Sequence, residues 1–276
     1  ERKINIPVLT VDTDGMELYD KGEEKAFLEL FKIFAIEKYQ AEEDRIGILG
    51  MTPQDVSDLD AADKIRDLYQ QKYGKQAVCY CMGDGLEEIR EASSVSRNIV
   101  VSPAALMTAK YLEKTFGTPY EIHYPLVDEL VRDMDYHGKK VLVVQQQVIG
   151  NAIREEILKK APDAQVTVAS WFMMKPELRR DEDLNLRDEE DYIGLVENGA
   201  YDVIYADSCM KRMTPKFEGV FVDTIHFAVS GKLVTVEAAK ELKEPKKPRG
   251  SKEPGKTDSH DYYDYDRMSP MGEVYE

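Results

Sequence analysis

Apolar positions along this chain follow two rhythms that take turns. Short, nearly unbroken apolar runs fall at residues 45–50, 77–81, 98–101 and 120–124, and the stretches between them carry apolar residues three and four apart. The runs read as strands buried on both faces, and the intervening periodicity reads as helices. Helices are predicted at 23–39, where Ala26, Leu30, Ile33 and Phe34 share a face, and at 60–73, 87–93 and 104–116. Gly74 and Gly117 follow two of these as C-caps, with Pro119 just beyond the second. An approach strand is predicted at 8–11.

The alternation then repeats. A helix at 127–136 bridges to strands at 140–144, 165–172, 202–206 and 220–227, with helices at 149–160, 189–197 and 236–242. Residues 173–188 are charged and irregular and read as a surface excursion. Strands alternating with helices in this way predict parallel sheets covered on both sides. The predicted fold class is α/β: two Rossmann-like, doubly wound, mainly parallel domains at 1–126 and 127–243, with an interdomain cleft. An irregular, polar, Tyr-rich tail at 244–276 follows. It begins basic and Pro/Gly-rich, turns acidic through Asp261-Tyr262-Tyr263-Asp264-Tyr265, and has too few aliphatic residues for a core of its own. It is expected to stay mobile unless its tyrosines dock on another surface.

Composition narrows the function classes. The chain has 276 residues and is 42% hydrophobic, enough for a sizeable core. The 53 acidic residues against 37 basic ones give a net charge of -16, which repels phosphate backbones and argues against nucleic acid as a partner. Such acidity would suit a basic protein partner, but it speaks first to an ordinary soluble surface rather than to a specific site. No run approaches the ~20 apolar residues of a membrane span, and the start lacks the apolar core of a signal peptide. Three cysteines, all mid-chain, do not form a disulfide framework, so a reducing, cytoplasmic setting is expected. The first residue is Glu1 rather than Met, as in a fragment.

In doubly wound sheets ligands sit beyond the carboxyl ends of the strands. Those ends are Gly50-Met51-Thr52, Met82-Gly83-Asp84-Gly85, Ser102-Pro103, Gln145-Gln146-Gln147, Asp207-Ser208-Cys209 and His226-Phe227. The Gly83-Asp84-Gly85 turn lacks both the Walker pattern and the full dinucleotide fingerprint, and reads as a strand-to-helix turn with Asp84 capping. Cys79 and Cys81, two apart on a predicted strand, would point the same way and could hold a soft metal. With no further Cys or His nearby the pair is incomplete, and buried cysteines are more often small hydrophobes. Cys209 follows a strand end beside Asp207 and Ser208, and His226 is the best placed of the four histidines. A lone His there is more often structural, although imidazole is a common metal ligand. No nucleophile elbow is present, no carboxylate pair stands out for acid–base work, and no residue is assigned as a metal ligand.

The passage Asn98-Ile99-Val100-Val101-Ser102-Pro103, followed by Ala109-Lys110-Tyr111-Leu112-Glu113-Lys114-Thr115-Phe116-Gly117-Thr118-Pro119-Tyr120, resembles nitrogenase component 1. That family includes the molybdenum–iron protein subunits, their cofactor-assembly relatives and the dark-operative protochlorophyllide reductase subunits. Ile6-Pro7-Val8-Leu9-Thr10-Val11-Asp12-Thr13 is similar to its approach to the middle domain, and Asp202-Val203-Ile204-Tyr205-Ala206-Asp207-Ser208 to a late strand of its last domain. The likeness runs from about Ile4 to Leu233.

The resemblance implies an oxidoreductase subunit that takes part in ATP-driven electron transfer from an iron protein, beside a sister subunit. It implies a cleft lined by Ser102, Gln146, Ser208, Cys209 and His226. The family's bridging-cluster cysteines lie in an amino-terminal domain without a counterpart here. An iron–sulfur or other metallocluster is therefore expected only in the complete complex, and the lone chain is expected to be inactive. The family's catalytic subunit has a Cys ligand where this chain has Ser102, and a second His ligand about one residue from His226. An alcohol is a poor substitute for thiolate toward iron. The competing expectations are a metallocofactor- or tetrapyrrole-binding module and a cofactor-assembly scaffold, neither catalytic by itself.

Overall fold

In the computed structural model, which describes residues 8–13 and 15–234, strands and helices alternate as their patterning requires. The order is α1 Tyr19–Phe34, β1 Glu42–Leu49, α2 Pro53–Val56, α3 Ala61–Tyr73, β2 Gln76–Cys79, α4 Leu86–Arg90, β3 Val95–Val100, α5 Leu106–Phe116 and β4 Tyr120–Ile122. The chain continues through α6 Val127–Leu130, β5 Lys140–Val144, α7 Gln147–Lys160, β6 Gln165–Ser170, β7 Leu184–Asn185, α8 Glu189–Gly199, β8 Val203–Ala206, β9 Val220–Asp223 and α9 Phe227–Ser230.

Among the described residues the strands form two separate sheets, ordered β2-β1-β3-β4 and β7-β6-β5-β8-β9. Every pairing is parallel. The winding direction reverses between β1 and β3 in the first sheet and between β5 and β8 in the second. These are the switch points at which doubly wound sheets open a crevice at their carboxyl ends. The fold is α/β with two Rossmann-like lobes, as the patterning predicts.

Side-chain alternation decides what joins the lobes. Ile46, Ile48, Ile99 and Val101 of the first sheet and Val141, Val143, Val166, Val168, Val203 and Tyr205 of the second belong to one contiguous buried core. Tyr124, Leu126, Val131 and Tyr136 of the connection complete it. The opposite faces pack elsewhere: Leu49, Val78 and Val100 against α1 and α5, and Leu142, Val144, Ile204 and Ala206 against α8.

Several elements depart from the sequence reading. Residues 8–11 form no strand; no neighbour pairs them, and Val8 is 63% exposed. β2 stops at Cys79, because the Asp84 carboxylate accepts the Cys79 N–H at 2.6 Å and turns the chain, leaving Cys81 at φ 74°. Cys79 is buried and Cys81 exposed, so the two thiols do not share a strand face. Asp84 also receives Arg66 at 2.8 Å, so the Gly83-Asp84-Gly85 turn is closed by its own carboxylate. The bridging helix shrinks to α6. Tyr136 is drawn into the core, where its hydroxyl bonds Tyr205 and the Arg132 carbonyl, while the Arg132 N–H donates to Tyr205. The predicted helix at 236–242 and the tail at 244–276 lie outside the described residues.

The charged excursion is anchored from within. Asp183, fully buried, receives Arg154, itself 1% exposed, through two nitrogens at 2.5 and 3.0 Å. Its carboxylate also accepts the backbone N–H groups of Val168 at 3.2 Å and Arg180 at 2.9 Å. Removing one member of a buried pair leaves an uncompensated charge, which typically costs ~3–5 kcal/mol. Asp183→Ala is therefore expected to destabilise the protein by about that amount in urea denaturation. The double variant Arg154→Met with Asp183→Leu should recover much of the loss. Equal losses in both would show that the pair is not what pins this segment.

Candidate functional site

The carboxyl ends of the two sheets press against each other. At the tip of β1, Gly50 adopts φ +92°, and a Cβ there would lie 2.8 Å from the Ser102 Cβ and 3.0 Å from its backbone nitrogen. Only glycine fits that approach, which brings the β1 and β3 tips together. Across the lobes, the Gln146 side chain donates to the Val101 carbonyl at 2.7 Å. Its oxygen accepts the Val148 and Ile149 N–H groups, capping α7. Asp207, at the β8 tip, gathers the Cys209 N–H, the His226 N–H and the Ser230 hydroxyl. The Phe227 N–H donates to Ser57 at 2.8 Å, tying the β9 side of the second lobe to the first. The start of α1 closes the seam, with Asp20 accepting the Met173 N–H and Glu24 pairing with Lys175.

A carboxylate cluster sits in this seam. Asp55, on α2 and 2% exposed, receives the Ser102 hydroxyl on one oxygen and the Tyr19 hydroxyl on the other. Glu23 lies one helical turn beyond Tyr19, near Thr52 and Asp55. Both Glu23 oxygens are buried without a hydrogen bond of good geometry among the described residues. Asp20 Oδ1 and Thr224 Oγ1 are buried in the same way, while Thr52 and the His226 ring have only looser contacts, with Glu23 and with the Gln54 backbone. Orphaned buried polar atoms are uncommon in folded proteins, and those gathered here make the seam the candidate site.

Burial sets the protonation of these groups. It pushes Glu23 up to about 8, with the Asp55 charge adding to the rise. It pushes Asp55 up to about 6, against hydrogen bonds from Ser102 and Tyr19 that favour the ionised form. Asp20 is also raised by burial, and Tyr19 is raised by burial and then by Asp55. Two close carboxylates in a dry site do not both ionise, so the cluster holds a proton at neutral pH. His226, 2% exposed, is pushed down to about 4 by burial and stays a neutral imidazole. Its ring meets Phe172 edge-on at 5.0 Å, and Phe172 meets Tyr19 at 4.9 Å, so an aromatic row links it to the carboxylates.

The five residues nominated from sequence separate into two groups. Ser102, Gln146 and His226 lie in the seam, all buried. Ser208 and Cys209 lie half-buried beyond Asp207, where Ser208 receives Lys232 at 3.2 Å and its N–H donates to Asp223 at 2.8 Å. Burial and the hydrogen bond to Asp207 push the Cys209 thiol up to about 11. Tyr19, Asp20, Glu23 and Asp55 were not anticipated. The helical spacing of Tyr19, Asp20 and Glu23 is visible in the sequence, but nothing there pairs them with Asp55. The expectation that no carboxylate pair stands out is corrected by their assembly at the seam.

The donor set does not fit a resident metallocluster. Among the described residues no group of three or more His, Cys, Asp or Glu side chains is arranged to hold a metal ion. The Ser102 hydroxyl is engaged by Asp55, and Cys209 keeps its proton at neutral pH. Among the described residues no helix is long and apolar enough to cross a membrane.

No protein-family model and no curated protein matches the chain. Among solved structures it is similar to one described as "Nitrogenase Cp1 at pH 6.5", with a TM-score of 0.54 and 13% sequence identity over 75% of this chain and 58% of that one. The chain thus spans somewhat over half the length of that structure, and at such identity the likeness shows a nitrogenase-like fold alone.

The raised carboxyls link stability to pH. Glu23 and Asp55 keep their protons to higher pH in the folded state than in the unfolded chain, so stability falls as pH rises from about 4 through about 8. Glu23→Gln is expected to stabilise the protein by about 2 kcal/mol at pH 9 and to change little at pH 5. Urea unfolding across that range checks this. Parallel profiles for the variant and the parent would show that Glu23 carries no proton at neutral pH.

Proposed function

We propose that this chain is a nitrogenase component 1-like oxidoreductase subunit that takes part, within a larger complex, in ATP-driven reductive electron transfer to a substrate or metallocofactor. The observation that carries the reading is the meeting of two parallel sheets at their switch-point ends, in a fold shared with a nitrogenase structure. The partners in this reading are a sister component 1-like subunit and an ATP-dependent iron protein. Ser102, Gln146, Ser208, Cys209 and His226 are proposed to line the ligand cleft when the seam, closed over Ser102, Gln146 and His226 in this structure, opens, with metal ligands supplied by other parts of the complex.

This chain's own contribution would be protons. Reductive chemistry that adds electrons to a substrate also consumes protons, and a general acid serves best when its pKa lies near the working pH. Glu23, at about 8, meets that condition in a site shielded from water. Tyr19 and Ser102 hold Asp55 in place beside it. The second reading is a tetrapyrrole- or metallocofactor-binding module or an assembly scaffold without catalysis of its own, and the poor fit to a resident cluster weighs toward its tetrapyrrole form.

Reconstitution of the full-length protein with a sister subunit, an iron protein, ATP and reductant tests the proposal. ATP-dependent electron transfer is expected, and Glu23→Gln should slow substrate reduction roughly 100-fold at neutral pH while sparing ATP hydrolysis by the iron protein. Absence of transfer with every partner tried would overturn the oxidoreductase reading. Co-purification of a tetrapyrrole without iron or sulfide would move the assignment to the binding module.

A further inference from the structure

A cavity of about 290 Å³ opens between the lobes, away from the carboxylate cluster. Ile122 and His123, at the end of β4, form one wall. Asn151 and Arg154 of α7 and Arg179 and Arg180 of the charged excursion form the other. Asn151 and the Arg179 side chain are fixed before any ligand arrives. The Asn151 amide donates to the Leu178 carbonyl at 2.9 Å, and Arg179 donates through two nitrogens to the Asp183 carbonyl at 3.1 and 2.8 Å. The Arg180 backbone is held by the Asp183 carboxylate.

Arg154 directs its outer nitrogens to Asp183 and Asn151, and its Nε is buried. Arg154 is thereby committed to the protein, and the cations left for a ligand are those of the charged excursion. Of the lining carboxylates, Glu177 is neutralised by Lys110 at 2.5 Å. Arg179 and Arg180 make no ion pair with a side chain among the described residues and face Glu155 across the lining. This is local positive charge in a chain whose formal balance is -16.

We propose that the interlobe cavity binds a small oxyanion-bearing molecule, phosphorylated or polycarboxylic, through Arg179 and Arg180, which stand over the buried Arg154–Asp183 pair. Planar guanidinium groups match phosphate and carboxylate oxygens by paired, charge-assisted hydrogen bonds. The volume lies at the lower end of the range for ligand pockets, which suits a small metabolite better than a dinucleotide. His123, kept neutral by burial, provides a polar group from the first lobe, so a bound molecule bridges both lobes.

Isothermal titration calorimetry on the full-length protein at low ionic strength tests this with three probes: inorganic phosphate, pyrophosphate and malonate. Saturable binding to at least one probe, with Kd below about 1 mM, is expected. Whether a phosphate probe or malonate binds more tightly identifies the class. The Arg179→Gln/Arg180→Gln variant should weaken binding at least roughly tenfold with unchanged circular dichroism. Lys216→Gln, on another face, should leave binding as it is. No saturable binding to any probe, or undiminished binding in the double arginine variant, would overturn the proposal.

Discussion

The constraint on which this molecule depends is the two-residue repeat of side-chain direction along strands that are buried on both faces. It sends Ile46, Ile48, Val141 and Val143 into one core common to both sheets, while Leu49, Leu142 and Val144 face helices on the other sides. The two lobes therefore do not hang on a linker. They share apolar surface, and parting them would expose it to water. Because the sheets are fixed relative to each other, their carboxyl ends meet at a closed seam.

That closure gives the seam its chemistry. An acidic residue on a solvated helix face titrates as an ordinary carboxyl. Glu23 and Asp55, held in a dry seam with Tyr19 and Ser102 around them, retain protons well above that range. The same low-dielectric surroundings keep His226 neutral. The seam is thus arranged to hold protons. The arginine-lined cavity beside β4 has the opposite character: its arginines are anchored by Asp183 and the segment around it. A strongly acidic chain carries both environments because each is set by local neighbours rather than by net charge.

Much of the fold was legible in the chain itself, and much of the site was not. Unbroken apolar runs such as Val141 to Val144 have few other solutions than a strand covered on both faces, and Gly74 and Gly117 do end their helices in the left-handed conformation. Where the sequence reading failed, a tertiary partner intervened. Cys81 left the strand because Asp84 captured the Cys79 N–H, and the bridging helix ended early because Tyr136 was drawn to Tyr205. Ser102 and Gln146 stand just beyond β3 and β5, where the local pattern puts them, whereas the strand predicted at 220–227 ends at Asp223 and His226 instead precedes α9.

Sequence alone determined the class of fold, the alternation of elements and the residues at the strand tips, since these follow from side-chain period, capping and backbone preference over a few neighbouring positions. Tertiary structure alone decided that Tyr19, Glu23, Asp55 and Ser102 meet, and that Arg154 finds Asp183. Those partners lie 29 to 47 positions apart where they bond directly. Their proton affinities come from desolvation, a property of the packed seam that no stretch of chain possesses before the lobes close on each other.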